Sequence, residues 1–275
     1  MASREARGFG GIFPPTRACP LGQARYKHSM KPTTLITGAG KRIGANMAQH
    51  LAARGHDLVL HYHQSKAEAE ALASALKNTH GTTVTLVQAN LSKPETLKNF
   101  WKGLPPITHI IHNASSFTRD TVSTMTADSL RDHLAVNLES PLLLTQGFLA
   151  QLPATANGTV TVLGDGTMGW SISPEFFSYA ASKHAWQSII ELLAAACAPR
   201  VRANVIALGP TLPGAQDDDT MFTRLAARAP LKRHGEPSEV LAALDYLLAA
   251  PGVTGQVIAL ANGFGLGGFR AAETL

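Results

Sequence analysis

A glycine-rich turn between an apolar run and a helical pattern constrains this chain more than any other feature of its sequence. Residues 33–37 (TTLIT) form a short β-branched run that predicts a strand, and apolar side chains recur at helical spacing from Ile43 onward. Between them lie Gly38, Gly40 and Gly44. Glycines permit a sharp turn and the close approach of a ligand to the backbone, and a helix start presents unpaired N–H groups to an anion. The stretch therefore predicts a cradle for a diphosphate at the end of a strand.

The rest of the chain alternates predicted strands with predicted helices. Such alternation is typical of a parallel sheet wound with right-handed crossovers. We therefore expect an α/β fold, a single doubly wound Rossmann-type domain with a seven-stranded parallel sheet, whose ligand lies beyond the carboxyl ends of the strands. Further strands are expected at 57–62, 82–88, 108–113, 158–164, 201–208 and 255–260, and helices at 65–78, 94–101, 127–150, 176–197 and 237–249.

The formal charge of +5 is concentrated at the amino terminus. Up to Lys31 six basic residues face one acidic residue, whereas from residue 32 onward 18 basic residues face 18 acidic ones. A neutral body does not predict a nucleic-acid surface. We divide the chain into an irregular basic leader, residues 1–30, and a folded body, residues 31–275. Because Met30 immediately precedes the first strand, our hypothesis is that the natural chain starts there and that the leader is not native.

Compartment and metal content follow from the composition. At 275 residues and 45% hydrophobic, the chain is long enough to bury one large core. We expect no membrane span, since no apolar run approaches roughly 18 to 20 residues. Cys19 and Cys197 are the two cysteines, and neither they nor the histidines show metal-ligand spacing. We therefore expect a cytoplasmic protein without a metal.

Tyr179 and Lys183 lie four residues apart on a predicted helix, which puts both side chains on one face. A tyrosine with its ordinary pKa near 10 is a poor acid–base group at neutral pH, and a neighbouring cation favours the phenolate. The pair is therefore a candidate for proton transfer. Taken in isolation, the same spacing is more often that of a surface tyrosine and a solvated lysine.

Five motifs occur together in one order: TGAGKRIG (residues 37–44), HNASSF (residues 112–117), Asn137, YAASK (residues 179–183) and Gly209-Pro210. In this order the chain resembles the short-chain dehydrogenase/reductase family over residues 32–265. The resemblance implies that Tyr179 donates a proton, that Lys183 lowers the pKa of that phenol and holds the nicotinamide ribose, and that Asn137 supports a water relay. It also implies that Asn113 and Ala114 line the cofactor and that four chains assemble into a homotetramer.

Three details resemble one subgroup, the pteridine reductases and dihydromonapterin reductases. Arg42 stands where most family members have a glycine. The second strand ends in HYHQS (residues 61–65), without the carboxylate that would bind a ribose 2′-hydroxyl. Asp165 occupies the region of the usual catalytic serine. The resemblance implies that the substrate is a dihydropterin or a dihydrofolate-like ring. We expect neither nucleic acid nor a membrane as a partner.

The cofactor preference has a physical basis in the same stretch. A carboxylate at the end of the second strand would repel a 2′-phosphate, whereas His63, Gln64 and Ser65 offer hydrogen bonds and Lys41 or Arg42 adds positive charge. One charge-assisted bond contributes roughly 1.5–3 kcal/mol, and about 1.4 kcal/mol is a factor of ten. We therefore predict NADPH. The predicted cofactor residues are Gly38, Gly40, Lys41, Arg42, Ile43, Gly44, His61, Tyr62, His63, Gln64, Ser65, Asn90, Leu91, Asn113, Ala114, Ser115, Lys183, Gly209 and Pro210.

The resemblance also assigns the substrate residues. Phe117 would stack a planar pterin against the nicotinamide, Ser115 would bind cofactor and ligand, and Arg42 would reach the acceptor edge of the pterin. Asp165 would work with Tyr179 to protonate the ring. Asp165 lies 14 residues before the tyrosine and Thr167 lies 12 before it, so the two compete for the third catalytic place.

Two other functions stay open from the sequence. The first is an NADPH-dependent carbonyl reductase of the 3-oxoacyl or sugar type, with Thr167 as the hydroxyl partner. The second is a non-catalytic NADP-binding regulator, against which the presence of both Tyr179 and Lys183 counts.

Overall fold

We analysed a computed structural model that describes residues 31–167, 174–213, 219–264 and 266. Residues Lys31–Leu275 form one unit. The predicted leader, residues 1–30, and the proposed start at Met30 lie outside the described residues. Among the described helices, none is long and apolar enough to cross a membrane.

Seven parallel strands form one sheet in the order β3-β2-β1-β4-β5-β6-β7, which confirms the predicted fold. Leu35, for example, pairs with Val59 of one neighbouring strand and Ile110 of the other. The strands are β1 Thr33–Ile36, β2 Asp57–Tyr62, β3 Val84–Gln88, β4 His109–His112, β5 Gly158–Asp165, β6 Val201–Leu208 and β7 Val257–Leu260. The helices are α1 Arg42–Ala53, α2 Lys66–His80, α3 Ala127–Leu134, α4 Ser140–Gln151, α5 Phe177–Cys197, α6 Asp219–Arg228 and α7 Pro237–Ala249.

Two apolar layers cover the two faces of the sheet. On one face Leu144, Phe148 and Trp186 from α4 and α5 pack against the central strands with no measurable exposure. On the other face Met47 of α1 and Leu244 of α7 are equally buried. Because parallel strands in such a sheet are covered on both faces, all four residues of β1 (TTLI) are buried, the two threonines included.

The predicted helix 127–150 is divided by a π-helical segment, Ala135–Glu139, between α3 and α4. Pro141 follows this segment and has no N–H to return to the carbonyl of Asn137 one turn earlier. The indole Nε1 of Trp186 donates to that carbonyl instead, at 2.8 Å. The predicted helix 94–101 is a 3₁₀ helix over Pro94–Asn99.

The sheet order reverses between β1 and β4, and the glycine-rich turn closes this switch point. Gly38 has φ of +64°, a conformation that glycine adopts without strain. Gly44 lies so close to the turn that an added Cβ would collide with the carbonyl oxygen of Gly38 and lie 2.7 Å from Nδ2 of Asn113. These two glycines therefore allow α1 to start directly beneath the ends of two strands.

The Gly44→Ala variant tests this close packing. Alanine favours a helix over glycine by about 1 kcal/mol, so a helical glycine without neighbours would gain stability from the change. We expect Gly44→Ala to lose about 1–3 kcal/mol of unfolding free energy instead, because the backbone has to move. Chemical denaturation measures the difference.

Gly252→Ala is the matched control, because a Cβ at Gly252 meets nothing within 4 Å. Its unfolding free energy should stay within about 0.5 kcal/mol of the wild-type value. A Gly44→Ala protein as stable as the control would show that the turn does not require the glycine.

Candidate active site

A cleft of about 1060 Å³ opens beyond the carboxyl ends of β1, β2, β4, β5 and β6, where the sheet order predicts it. Such a volume is at the upper end of the range for small-molecule sites. Most of the predicted residues line it: Gly38, Lys41, Arg42, Ile43, Gly44, His61, His63, Gln64, Ser65, Asn90, Leu91, Asn113, Ala114, Ser115, Phe117, Asp165, Tyr179, Lys183, Gly209 and Pro210.

Three predicted residues lie behind the cleft wall instead. Gly40 packs on Ser65, whose Oγ would lie 2.7 Å from an added Cβ. Tyr62 is buried, and its carbonyl oxygen accepts a hydrogen bond from Ala89. The prediction that Tyr62 binds the cofactor is therefore not supported, and the reason is the strand period: neighbouring side chains alternate between faces, and His61 faces the turn. Asn137 is the third.

His61 supports the glycine-rich turn from beneath. Its Nε2 lies 3.1 Å from the carbonyl oxygen of Ala89, which only accepts, so Nε2 carries the proton and Nδ1 accepts from the backbone N–H of Gly38 at 3.1 Å. Burial lowers the pKa of His61 to about 4. The ring is therefore neutral at ordinary pH, and the turn keeps its acceptor.

Asn113 joins the turn to the end of β4. Its amide nitrogen donates to the carbonyl oxygens of Thr37 and Gly38, at 2.9 and 3.0 Å. The hydroxyl oxygen of Thr37 accepts from the backbone N–H groups of Asn113 and Ala114, at 2.9 and 3.0 Å. Asn113 therefore shapes the cleft floor with its side chain while its backbone lines the cleft.

The start of α1 is open to an anion. The residue before the helix, Lys41, makes no side-chain cap, and the first turn of the helix contains no acidic residue. Lys41 pairs with Glu68 of α2 at 2.5 Å, and both side chains are about half exposed. At the end of β2, His63, Gln64 and Ser65 face the same part of the cleft.

Arg42 has an unusual backbone. Its φ is +54°, in the left-handed region that costs a residue with a Cβ roughly 1–2 kcal/mol. Glycine adopts this conformation without strain, which is a physical reason why glycine would suit the position. The guanidinium reaches across the cleft, where Nη2 lies 3.5 Å from the carbonyl oxygen of Leu212.

Tyr179 and Lys183 both face the cleft from α5. Lys183 is buried, its Nζ donates to the carbonyl oxygen of Leu163 at 2.9 Å, and it lies 6.0 Å from the centroid of the Tyr179 ring. Burial lowers the pKa of Lys183 to about 8 against the attraction of Asp165. The lysine therefore connects α5 to β5 beneath the cleft.

The pKa of Tyr179 is raised well above its usual value, first by burial, then by the charge of Asp165 and by a side-chain hydrogen bond with that carboxylate. Burial and the carboxylate act against the lowering of this pKa by Lys183 that the family resemblance implies. A raised pKa keeps the phenol protonated at neutral pH, which is the form that donates a proton.

Asp165 and Thr167, the two candidates for the third catalytic place, contact each other. Oδ1 of Asp165 accepts from the backbone N–H and the hydroxyl of Thr167, at 2.8 and 2.6 Å. The carboxylate therefore caps its own loop and also acts on the phenol of Tyr179. Thr167 lines the cleft as well, but its hydroxyl proton is directed to Asp165.

Phe117 stacks on a residue that sequence reasoning missed. Its ring lies 4.6 Å from that of Phe176 at an interplanar angle of 8°, and its edge meets the Tyr179 ring at 4.7 Å and 82°. Half of Phe117 is exposed, at 51%. Phe176 precedes Tyr179 by three residues, so the helical period from the tyrosine was the signal that could have found it.

Four apolar residues that no motif marked also line the cleft: Phe222 and Leu225 of α6, Leu212 and Phe264. They come from segments far apart in sequence, and only the folded chain brings them together. Among the described residues, no group of three or more histidine, cysteine or acidic side chains is placed to hold a metal.

This fold and cleft agree with the comparisons to known proteins. The family model of the short chain dehydrogenases matches residues 32–221, and the chain belongs to this family of oxidoreductases, as its motifs predicted. The crystal structure of FolM alternative dihydrofolate reductase 1 from Brucella canis, complexed with NADP, is similar with a TM-score of 0.79 and 32% identity, covering 89% of this chain and 98% of that one.

Two curated relatives represent two substrate classes. The dihydromonapterin reductase of Enterobacter sp. (strain 638) is 27% identical, over 83% of this chain and 95% of its own length. The 3-oxoacyl-[acyl-carrier-protein] reductase FabG of Staphylococcus epidermidis is 26% identical, over 85% of this chain and 99% of its own length. Pterin and ketone reduction are both found among the relatives.

The Asp165→Asn variant tests the electrostatic control of the phenol. Because the Asp165 charge contributes to the raised pKa of Tyr179, its removal should lower that pKa and move phenolate formation to lower pH. The ultraviolet absorbance of phenolate is measured as a function of pH in proteins with and without the Tyr179→Phe substitution. The difference between the two titrations gives the contribution of Tyr179.

Asp132→Asn is the control, since Asp132 lines the same cleft but accepts from the Ser116 hydroxyl at 2.6 Å. Its phenol should titrate as in the wild type. Equal shifts in both variants would mean that general charge, and not the neighbouring carboxylate, sets the pKa of Tyr179.

Proposed function

We propose that this protein is an NADPH-dependent reductase of a dihydropterin or a dihydrofolate-like ring. The observation that carries the proposal is the arrangement around Tyr179: a protonated phenol lies between the Asp165 carboxylate and the flat, half-exposed ring of Phe117. A planar heterocycle whose ring nitrogen must be protonated fits such a slot. The similarity to dihydromonapterin reductase and to FolM alternative dihydrofolate reductase supports the substrate class.

The cleft fits NADPH. The uncapped start of α1 and the turn Gly38–Gly44 suit the diphosphate, since N–H groups and the helix dipole favour an anion there. His63, Gln64 and Ser65, with Lys41 and Arg42, suit a 2′-phosphate. Asn90 and Leu91 suit the adenine side, and Asn113, Ala114, Lys183, Gly209 and Pro210 the nicotinamide side. NADPH supplies a hydride when bound.

The residues of the chain then orient the substrate and deliver the proton. Phe117 stacks the pterin ring, while Ser115 and Arg42 bind its polar edge. Tyr179 donates the proton to N5 as C6 is reduced, and a proton from solvent, relayed by water beside the Asp165 carboxylate, restores the phenol. The raised pKa of Tyr179 keeps the phenol in the protonated form from which it donates.

We give Asn137 a structural role in this proposal and not the water relay that the family resemblance implies. Its side-chain Nδ2 donates to the Ser182 hydroxyl and to the Ser116 carbonyl oxygen. Its backbone carbonyl oxygen accepts from the indole N–H of Trp186. We assign it to the support of the site.

The second candidate is an NADPH-dependent carbonyl reductase of the 3-oxoacyl or sugar type. The observation in its favour is the Thr167 hydroxyl, which lines the cleft next to Asp165. The similarity to FabG is at the same level as that to dihydromonapterin reductase. A non-catalytic NADP-binding regulator is less well supported, because Tyr179, Lys183 and Asp165 form one connected group.

NADPH oxidation measured side by side with dihydromonapterin, dihydrobiopterin, dihydrofolate and an acetoacetyl thioester tests the proposal. We expect turnover with at least one pterin or folate. Tyr179→Phe should lower kcat about 10²- to 10⁴-fold, the usual contribution of a general acid. Turnover of the thioester alone would favour the carbonyl reductase, and tight NADPH binding without any turnover would favour the regulator.

The Arg42→Gly variant distinguishes the effect of Arg42 on stability, through its strained backbone, from the proposed binding of ligands by its guanidinium. Glycine relieves the left-handed backbone, so unfolding free energy should rise by about 1 kcal/mol. Loss of one charge-assisted bond should lower kcat/KM with NADPH about tenfold or more and reduce the preference over NADH.

Lys232→Gly is the matched control, because Lys232 has a φ of +56° and lies outside the residues that line the cleft. It should gain similar stability and keep the wild-type kinetics. If Arg42→Gly keeps both its NADPH preference and its pterin KM, the guanidinium has no part in binding.

We also propose a homotetramer in the cytoplasm, as the family resemblance implies. Exposed apolar side chains on α5, α7 and β7, namely Leu192, Tyr246 and Val257, support an interface between chains. Light scattering that gives the mass of one chain would contradict the tetramer.

A further inference from the structure

Phe117 projects into the cleft from a loop that has no regular secondary structure, yet its ring is held against Tyr179 and Phe176. A residue in a loop keeps its backbone free unless other contacts fix it, and fixing one residue costs about 1–2 kcal/mol in entropy. The contacts that fix Phe117 should therefore lie in its neighbours, Ser116 and Thr118.

His133 of α3 binds one of these neighbours. The side chain has no measurable exposure, and its Nδ1 lies 2.8 Å from the carbonyl oxygen of Ser129. Because a carbonyl oxygen only accepts, Nδ1 carries the proton and Nε2 is the acceptor in the neutral ring. Nε2 accepts the backbone N–H of Thr118 at 3.2 Å, and the Thr118 hydroxyl lies at the same distance.

Asn137 binds the other neighbour from one helical turn further on. Its Oδ1 accepts the backbone N–H of Ser116 at 2.8 Å, and its Nδ2 donates to the Ser116 carbonyl at 3.0 Å. Asp132 accepts the Ser116 hydroxyl at 2.6 Å. The residues before and after Phe117 are thus both hydrogen-bonded to α3 and the π-helical segment that follows it.

We infer that His133 is a positioning residue for the substrate: with Asn137 it fixes the backbone on both sides of Phe117, so that the aromatic ring is already oriented for stacking when the pterin binds. The inference deepens the proposed function and rests on it for the identity of the substrate. The fixed loop itself does not depend on what the enzyme reduces.

Two substitutions at His133 distinguish its hydrogen bond to the Ser129 carbonyl from the one that it accepts from Thr118. Glutamine places an oxygen near the position of Nε2 and keeps an acceptor for Thr118, whereas asparagine reaches only the position of Nδ1. We expect His133→Asn to raise the KM for the dihydropterin about tenfold or more, the usual effect of leaving a buried donor without its acceptor. His133→Gln should restore most of this loss.

The binding of NADPH alone should not change in either variant, because the turn and α1 do not contact His133. Thr118→Val is a further control: it removes the hydroxyl and keeps the N–H, so its KM should stay near that of the wild type. A loss in Thr118→Val equal to that in His133→Asn would assign the effect to the hydroxyl and overturn the inference.

Amide hydrogen exchange tests the loop without any substrate. In the wild-type protein the Ser116 and Thr118 amides should exchange slowly, although they lie in a loop at the cleft, and the Thr118 amide should exchange faster in His133→Asn than in His133→Gln. This readout separates the two proposals. Fast exchange at Thr118 in the wild type overturns the positioning role even if pterins are reduced, while slow exchange in a protein that reduces no pterin leaves that role and overturns only the proposed substrate.

Discussion

The arrangement of the whole site depends on the hydrogen bonds that the Asn113 side-chain amide donates to the glycine-rich turn. β1 and β4 are paired neighbours in the sheet, but the chain leaves them toward opposite faces at this switch point, and the crevice that results is useful only if the strand ends keep a fixed geometry. Asn113 fixes that geometry by donating to two successive carbonyls of the turn, Thr37 and Gly38, that follows β1. The absence of a Cβ at Gly44 is what lets α1 approach the same atoms. The start of α1 and the end of β4 are thereby held in a fixed relation to each other.

The proton chemistry depends on which of three effects dominates at Tyr179. A cation would lower the pKa of the phenol, whereas burial and a neighbouring anion raise it. Lys183 lies 6.0 Å from the ring centroid, donates to a backbone carbonyl and has its own pKa lowered by burial, so its influence is weak. Burial and Asp165 therefore prevail. A phenol with a raised pKa keeps its proton at neutral pH, which is consistent with the proposed role of Tyr179 as proton donor.

The sequence was sufficient for features that depend on local order, and insufficient for those that depend on distant packing. The seven strands, the glycine turn and the pair Tyr179 and Lys183 are encoded in short periodic patterns, so they were predicted correctly. The π-helical segment was not, because it results from Pro141 and from Trp186 on another helix. Tyr62 does not line the cleft, since a motif names consecutive residues while a strand presents only alternate ones to one face.

The chain departs from its local preference at two residues that line the cleft. Arg42 occupies a backbone conformation better suited to glycine, and Phe117 exposes half of an apolar ring. Neither choice improves stability, and residues in such conformations persist where the surroundings determine them and function uses them. One belongs to the turn that suits the phosphates, and the other to the loop bound by His133. A ligand that contacts both has to be charged at one end and flat at the other, and a reduced dinucleotide beside a planar heterocycle meets that description.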